Sequence, residues 1–394
     1  MGKEHPVGAL VVGGDHPGLG VARSLGKRGI PVYVLEDQYS VSSFSRYVQR
    51  VIKATDLRDE AATVESLLQA GKEFNLNGWV LYPTRDETVV AIARHREALS
   101  KIFRVTTPDW ETIQWAWDKN KTWQLAGQIG VPSPQTWNVS NEAELEPLFS
   151  RLPLAVKPAI KENFFYATGA KAWRANTPEE LRQYFRKAAA QISTDEIMLQ
   201  EIIPGDGSKQ FSYCAFAVAG KAHSVLIARR DRQHPREFGR AATYVETVNV
   251  PALEALAERF LCAIRYYGLV EMEFKFDDRD QRYKLLDVNA RAWGFHSIGL
   301  AAGVDFCYML YADQMGETVQ PARARSGVGW LRLVTDVPTA TSQMLGGYLP
   351  ISSYWRSLRN TRIESVFAKE DPLPSIGEFV LLPYLVFKKY LSRG

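Results

Sequence analysis

Cysteine, histidine and long apolar runs are all scarce in this chain of 394 residues. Its three cysteines, Cys214, Cys262 and Cys307, stand more than 40 residues apart and form no C-x-x-C. The spacing suggests neither a zinc site nor a disulfide framework. Their apolar neighbours predict small buried hydrophobes. The six histidines make no H-x-x-x-H pair, so the helical zinc signature is missing too. No apolar run approaches the roughly 18 residues of a membrane-spanning helix. The first apolar stretch, residues 7–12, is too short for a signal peptide and runs into glycines, so a reducing cytoplasm is the expected compartment. A net charge of only +4, with no basic stripe, argues against a nucleic-acid partner. There is no internal repeat and no low-complexity tract.

What is present is an ordinary globular composition, 46% hydrophobic and 23% charged, in a chain too long for one core. Two or three domains are expected. Residues 7–110 alternate strand and helix signals, which implies a parallel sheet covered on both faces. Residues 109–130 read as one Trp-rich helix. A second unit follows Pro132 and Pro134: a helix at 141–150, a strand at 154–160, a strand at 169–175, a helix from Thr177 and a strand at 197–203. Residues 210–248 read as a strand meander with a hairpin at 219–221. Helices are expected at 251–267 and 296–315, and the remainder reads as irregular and Pro-rich.

The most informative stretch is LLDVNAR, 285–291, beside EMEFKFD, 271–277. Both read as strands, and alternation puts Asp287 and Asn289 on one face. With Glu273 from the neighbouring strand they make three oxygen donors suited to Mg²⁺ bridging nucleotide phosphates. Arg291 lies two residues further on, where a guanidinium would meet developing negative charge. The bland alternative is an exposed hairpin with polar residues on its wet side.

Other segments carry weaker signals. Lys157, in AVKPAI, is either a snorkelling edge residue or a phosphate contact. The segment 161–171 could close over a triphosphate with Lys161 or Lys171 helping, or be a plain hairpin. In MLQEIIPG, 198–205, Gln200 and Glu201 could read a heterocycle's amino group, and Asp206 a ribose hydroxyl; the alternative is a core strand ending in a turn. The glycine turn 13–20 lacks a clean G-x-G-x-x-G, because Arg23 stands at the third glycine. With Glu36 and Asp37 ending the next strand, it either binds a dinucleotide or simply builds the fold. Arg229, Arg230 and Arg232 are candidate phosphate or carboxylate contacts, or a solvated strand end.

In this order, from about residue 7 to about 316, these motifs resemble the ATP-grasp superfamily. The resemblance implies an α/β protein with a Rossmann-like domain at 1–115, a small α/β central subdomain at 116–205 and a larger α+β grasp subdomain at 206–325. A C-terminal extension would follow at 326–394. It further implies Lys119 and Lys157 as the ATP lysines, and Gln200, Glu201 and Ile203 at the adenine hinge. Asp206 would take the ribose, Glu273, Asp287 and Asn289 the Mg²⁺ (or Mn²⁺), and Arg291 the anionic intermediate. Asp287 replaces the usual metal glutamate with a shorter arm. PTRDET, 83–88, and NARAWG, 289–294, are similar to the carboxylate–amine ligase branch that includes D-aspartate ligases. The activity implied is ATP-dependent coupling of a small-molecule carboxylate to an amine, with Arg291 and Lys157 catalytic. No nucleic acid and no transmembrane span are expected, and a homodimer is the open oligomeric alternative.

Three rival readings stand beside it: bicarbonate activation of the carbamoyl-phosphate or biotin-carboxylase kind, a nucleotide-binding protein without turnover, and a nicotinamide oxidoreductase built on the glycine turn. The apolar-then-basic tail, 378–394, could dock on a membrane surface or a partner, or pack on the body. Pro383 is expected to interrupt any helix there.

Overall fold

The computed structural model describes residues 6–160, 164, 168–239 and 241–391. Lys161 lies outside the described residues. Three sheets organise the chain. The first holds β1 (Ala9–Val12), β2 (Val32–Glu36), β3 (Arg50–Lys53), β4 (Val80–Pro83) and β5 (Arg104–Val105), all parallel in the order β3-β2-β1-β4-β5. The run ALVV of β1 is buried throughout. Ala9 and Val11 join one core with Val21 and Leu25, while Leu10 and Val12 join another with Leu67 and Ile92. That is the burial a central strand needs when helices cover both faces. β3 was not expected from its sequence, RVIK, because its side chains are mostly exposed at the sheet edge.

The second sheet is small and antiparallel, with β6 (Thr136–Asn138), β7 (Leu154–Pro158), β8 (Trp173–Ala175) and β9 (Ile197–Glu201) in the order β6-β9-β7-β8. The third contains β10 (Gln210–Val218), β11 (Lys221–His234), β12 (Ala241–Thr247), β13 (Gly268–Asp277), β14 (Arg282–Asn289), β15 (Ala322–Arg323), β16 (Gly329–Leu331) and β17 (Thr361–Glu364). Its order is β14-β13-β10-β11-β12-β16-β17, with β15 against β11.

Several expectations are corrected here. The residues after 316 are not irregular: β16 and β17 extend the large sheet, and helices run over Leu333–Leu345, Ile351–Asn360 and Leu373–Leu391. The last passes through Pro383 without stopping. The helix expected at 109–130 breaks into Trp110–Trp117 and Lys119–Gln128 at Asp118, whose carboxylate caps the Asn120 amide. The helix expected at 296–315 splits at Gly303, which ends its first part in the left-handed region. Cys262 is exposed, not buried.

The helix Lys119–Gln128 joins two bodies. Leu125 and Ala126 pack in the large-sheet core with Tyr213 and Phe260. Trp123, one turn away, packs with Ala159 and Met198 of the small sheet.

Candidate active site

β13 and β14 pair antiparallel, with Glu273 opposite Asp287 and Glu271 opposite Asn289. A bulge between the Glu273 and Phe274 pairings leaves Leu286 as the extra residue. It changes the parity of β14, so that Leu285 and Val288 both reach the same core and Asp287 and Asn289 share the other face.

Glu271 and Glu273 are buried together. Arg230, from β11, binds both: Nη2 donates to Glu271 Oε1 at 2.9 Å and Glu273 Oε1 at 2.7 Å, and Nη1 to Glu273 Oε2 at 3.0 Å. Asn289 Nδ2 donates to the same two carboxylates, each at 3.2 Å, Ser212 to Glu271 at 2.7 Å and Gln210 to Glu273 at 3.1 Å. Burial pushes the Glu271 carboxyl up against the pull of Arg230. Burial also disfavours the charge of Arg230, but Glu273 and Glu271 outweigh it and hold its proton more firmly than usual. The other two arginines of this strand turn elsewhere. Arg229 pairs with Asp231, and Arg232 is buried in a two-pronged pair with Asp336 at 2.8 and 2.9 Å.

Lys119 opens its helix buried and donates to Asp287 Oδ1 at 2.5 Å. Lys157 donates to Gln200 Oε1 at 3.0 Å, and its ammonium lies 4.6 Å from the Trp123 ring centre. Burial, with Lys119 nearby, lowers the Lys157 ammonium to about 7, against the opposing pull of Asp287. Two lysines from distant segments thus converge on the Asp287 side of the hairpin.

Arg291 lies beyond the end of β14. Its guanidinium grips Asp86, at the start of the helix Asp86–Arg94, with Nε–Oδ1 2.6 Å and Nη2–Oδ2 3.1 Å, and Nη2 also reaches Asn289 Oδ1 at 3.4 Å. A cavity of about 20 Å³ opens between Asp86, Lys119, Asp287 and Asn289, room for a single water-sized group.

At the end of β9, Gln200 donates to Thr136 at 2.9 Å while accepting from Lys157. Glu201 accepts from Arg279 at 3.0 Å, Lys284 at 3.2 Å and the Gln135 amide at 3.0 Å. The Ile203 carbonyl accepts from Lys275 at 2.8 Å. Asp206 caps the Ser208 amide at 3.0 Å and lines a separate cavity of about 300 Å³.

No family model matches the chain. It is 23% identical over 301 residues to a D-aspartate ligase of Enterococcus faecium (strain Aus0004), covering 72% of this chain and 70% of that one. The L-amino acid ligase from Bacillus licheniformis superposes with a TM-score of 0.62 at 18% identity, over 79% of this chain and 75% of that one. The biotin carboxylase domain of the Hydrogenobacter thermophilus 2-oxoglutarate carboxylase gives 0.65 at 14% identity, over 82% and 74%. The chain has the ATP-grasp fold.

The donor set of this site fits a hard divalent cation in kind. Glu273 and Asp287 face each other across two strands with Asn289 beside them, and all offer oxygen. Among the described residues, no group of three or more His, Cys, Asp or Glu is arranged as a metal cluster. Arg230 is a cation that Glu273 binds in this structure.

The glycine turn is knit into the fold. The Gly14 amide donates to Glu36, and a Cβ on Gly14 would lie 2.3 Å from the Ser40 hydroxyl. Arg85 then binds Glu36 at 2.6 Å and Asp37 at 2.9 Å. Both acids expected at a dinucleotide ribose are thereby engaged with the protein itself.

Sequence reasoning missed two participants, Glu271 and Asp86, and named Arg230 only as a candidate contact for a phosphate or carboxylate, whereas it binds the protein's own Glu271 and Glu273. Glu271 was legible as a second acid at strand spacing from Glu273. Asp86 was visible only as part of PTRDET. Nothing local marks Arg230 as the partner of Glu271 and Glu273, because that pairing depends on the order β13-β10-β11.

Proposed function

We propose that this chain is an ATP-dependent carboxylate–amine ligase. The observation that carries the reading is the convergence of Lys119 and Lys157 on a hairpin that aligns Glu273, Asp287 and Asn289. In this reading residues 1–115 form the first domain and 116–205 and 206–325 the two halves of the nucleotide clamp. Residues 326–394 form an extension whose strands join the large sheet.

ATP lies between the small and large sheets, with Lys119 and Lys157 on its phosphates and Gln200, Glu201, Ile203 and Asp206 toward its base and ribose. Mg²⁺ or Mn²⁺, held by Glu273, Asp287 and Asn289, would supply charge neutralisation at those phosphates. The substrate carboxylate oxygen attacks the γ-phosphorus and ADP departs, leaving an acyl phosphate. An amine then attacks the acyl carbon, phosphate leaves, and the amine's proton passes to solvent, giving an amide. Arg291, oriented by Asp86, offers its guanidinium to the carboxylate and then to the tetrahedral oxyanion.

The sequence match is to a D-aspartate ligase, whereas the likeness to a biotin carboxylase is one of fold. Amide formation is therefore placed ahead of bicarbonate activation. Among the described residues no helix is long and apolar enough to cross a membrane, and we place the reaction in the cytoplasm. The test is an ADP-release screen of the purified protein over pairs of amino acids and small carboxylates, with mass spectrometry of the product. ADP release that needs a carboxylate, an amine and a divalent metal together is expected. Release with bicarbonate alone, or none with any pair, would reject the reading.

A further inference from the structure

The exposed apolar side chains are not spread evenly. Most of the large ones lie between residues 333 and 380. On the helix Leu333–Leu345, Leu333, Val337 and Leu345 recur at positions i, i+4 and i+12 and all face outward, while Asp336, Thr339 and Ala340 face inward. On the helix Ile351–Asn360, Ile351 and Trp355 are exposed one turn apart. On the helix Leu373–Leu391, Ile376, Phe379 and Val380 are exposed. Leu345 and Val380 show 86% and 67% of their surface.

These helices are tied to one another. Arg332 pairs with Glu378 at 2.9 Å, joining the first to the third. Arg232, bonded to Asp336, lies 5.1 Å from the Tyr354 ring centre, joining the first to the second.

Residues 326–394 hold eight basic and five acidic residues. Asp336, Asp371 and Glu378 are buried against Arg232, Arg23 and Arg332. Glu364 accepts from the Leu333 and Val366 amides, and Glu370 pairs with Lys27. Arg356, Arg359 and Arg362 are exposed; Arg359 lies one turn along the helix on the Trp355 face, while Arg356 turns to the cavity that Asp206 also lines.

We propose that the outer face of this C-terminal extension docks on an anionic lipid bilayer. Apolar side chains with a tryptophan can enter the headgroup boundary while neighbouring arginines meet lipid phosphates. With three of the five acids buried, Glu364 bonded to backbone amides and exposed Glu370 paired with Lys27, the repulsion such a surface would meet is reduced. Since no described helix is long and apolar enough to span, the contact is peripheral. It does not depend on the ligase reading.

The experiment is co-sedimentation of the full chain with large unilamellar vesicles. One set is phosphatidylcholine alone and the other an equal mixture of phosphatidylcholine and phosphatidylglycerol. Binding is expected to the mixed vesicles and to weaken with added salt. The double variant Arg359→Glu/Arg362→Glu should lower that affinity by at least about tenfold. Trp355→Glu with Phe379→Glu should lower it even at low salt. Unchanged melting temperatures keep these variants interpretable, because all four side chains are exposed. No binding to either vesicle, or equal binding to both, overturns the proposal. So does a dimer of the wild type that the Trp355→Glu/Phe379→Glu variant dissolves, which would assign the face to a second copy of this chain.

Discussion

Arg291 and Asp86 meet through two parallel hydrogen bonds of 2.6 and 3.1 Å, joining the end of β14 to a helix that follows β4 of the N-terminal sheet. The N-terminal domain therefore orients a guanidinium belonging to the large sheet. Burial opposes the charge on Arg291, and Asp86 more than restores it.

That relationship makes the fork, not the charge alone, the quantity to test. Arg291→Lys should lower kcat for amide formation by about tenfold or more, with ATP affinity little changed. Asp86→Asn should lower kcat in the same direction, because it loosens the guanidinium without touching the nucleotide. Steady-state kinetics beside a melting curve separates this from a merely structural pair, which would move the melting temperature alone.

Asp287→Asn should reduce ATP turnover by at least about a hundredfold while the protein stays folded. The side chain is only 15% exposed, and the amide keeps its shape. Turnover measured against a titration of Mg²⁺ checks this; wild-type activity in the variant would remove Asp287 from the metal set.

Arg230→Ala should be far more disruptive, by about 3–5 kcal/mol at neutral pH, since it removes the guanidinium that two buried carboxylates share. The loss should shrink as the pH falls. Glu271 already holds its proton more firmly folded than unfolded, through burial. Such a group contributes stability at low pH that disappears as the pH rises through its folded value. Denaturant melts of the variant across the acid range read this out; a penalty independent of pH would contradict it.

Lys157 gives the opposite sign. Its folded value of about 7 lies below its ordinary 10.5, so its charged form costs stability in full below about 7 and the cost fades between the two values. Phosphates bind only the protonated form well. Above pH 7 ATP binding should therefore take up a proton, and affinity should weaken by up to about tenfold per pH unit until other groups titrate. Calorimetry in two buffers of different ionisation heat measures the proton. In Lys157→Ala the uptake should vanish.

Asp336→Ala should cost about 3–5 kcal/mol, because it leaves the buried Arg232 unpaired. A melting experiment checks it. A negligible shift would mean that the extension is not part of the folded core.

Much of this architecture was legible where the sequence pattern was local. The ALVV run announced a doubly covered strand, and alternation in β13 and β14 grouped Glu273, Asp287 and Asn289. Even there the bulge at Leu286 was silent, because a one-residue parity change leaves no composition signal. β16 and β17 escaped notice since strands of three and four residues carry too few side chains for a period. Asp118 could have marked the helix break, as a capping residue followed by polar sequence. The partners of Arg230 and Arg291 could not be read at all. Both are joined across long sequence separations by sheet order and domain packing, and neither leaves a trace within a local window.

The Trp123 contact has a mechanical meaning. Trp123 is buried against Ala159 and Met198, close to where Lys157 leaves β7. The far edge of the small sheet, at β8, meets the large one through an exposed pair, Arg174–Glu237 at 3.0 Å, and through Lys171 donating to the Gly239 carbonyl at 3.1 Å. Exposed pairs are weak, whereas buried aromatic packing is not. The small sheet is thus anchored by buried packing beside the lysines and held by polar contacts at β8. Distance labels at 174 and 237 should report wide excursions while labels near 123 and 157 stay close. Movement of the β8 edge would leave the spacing of Lys119 and Lys157 nearly constant, because both lie beside the buried Trp123 contact.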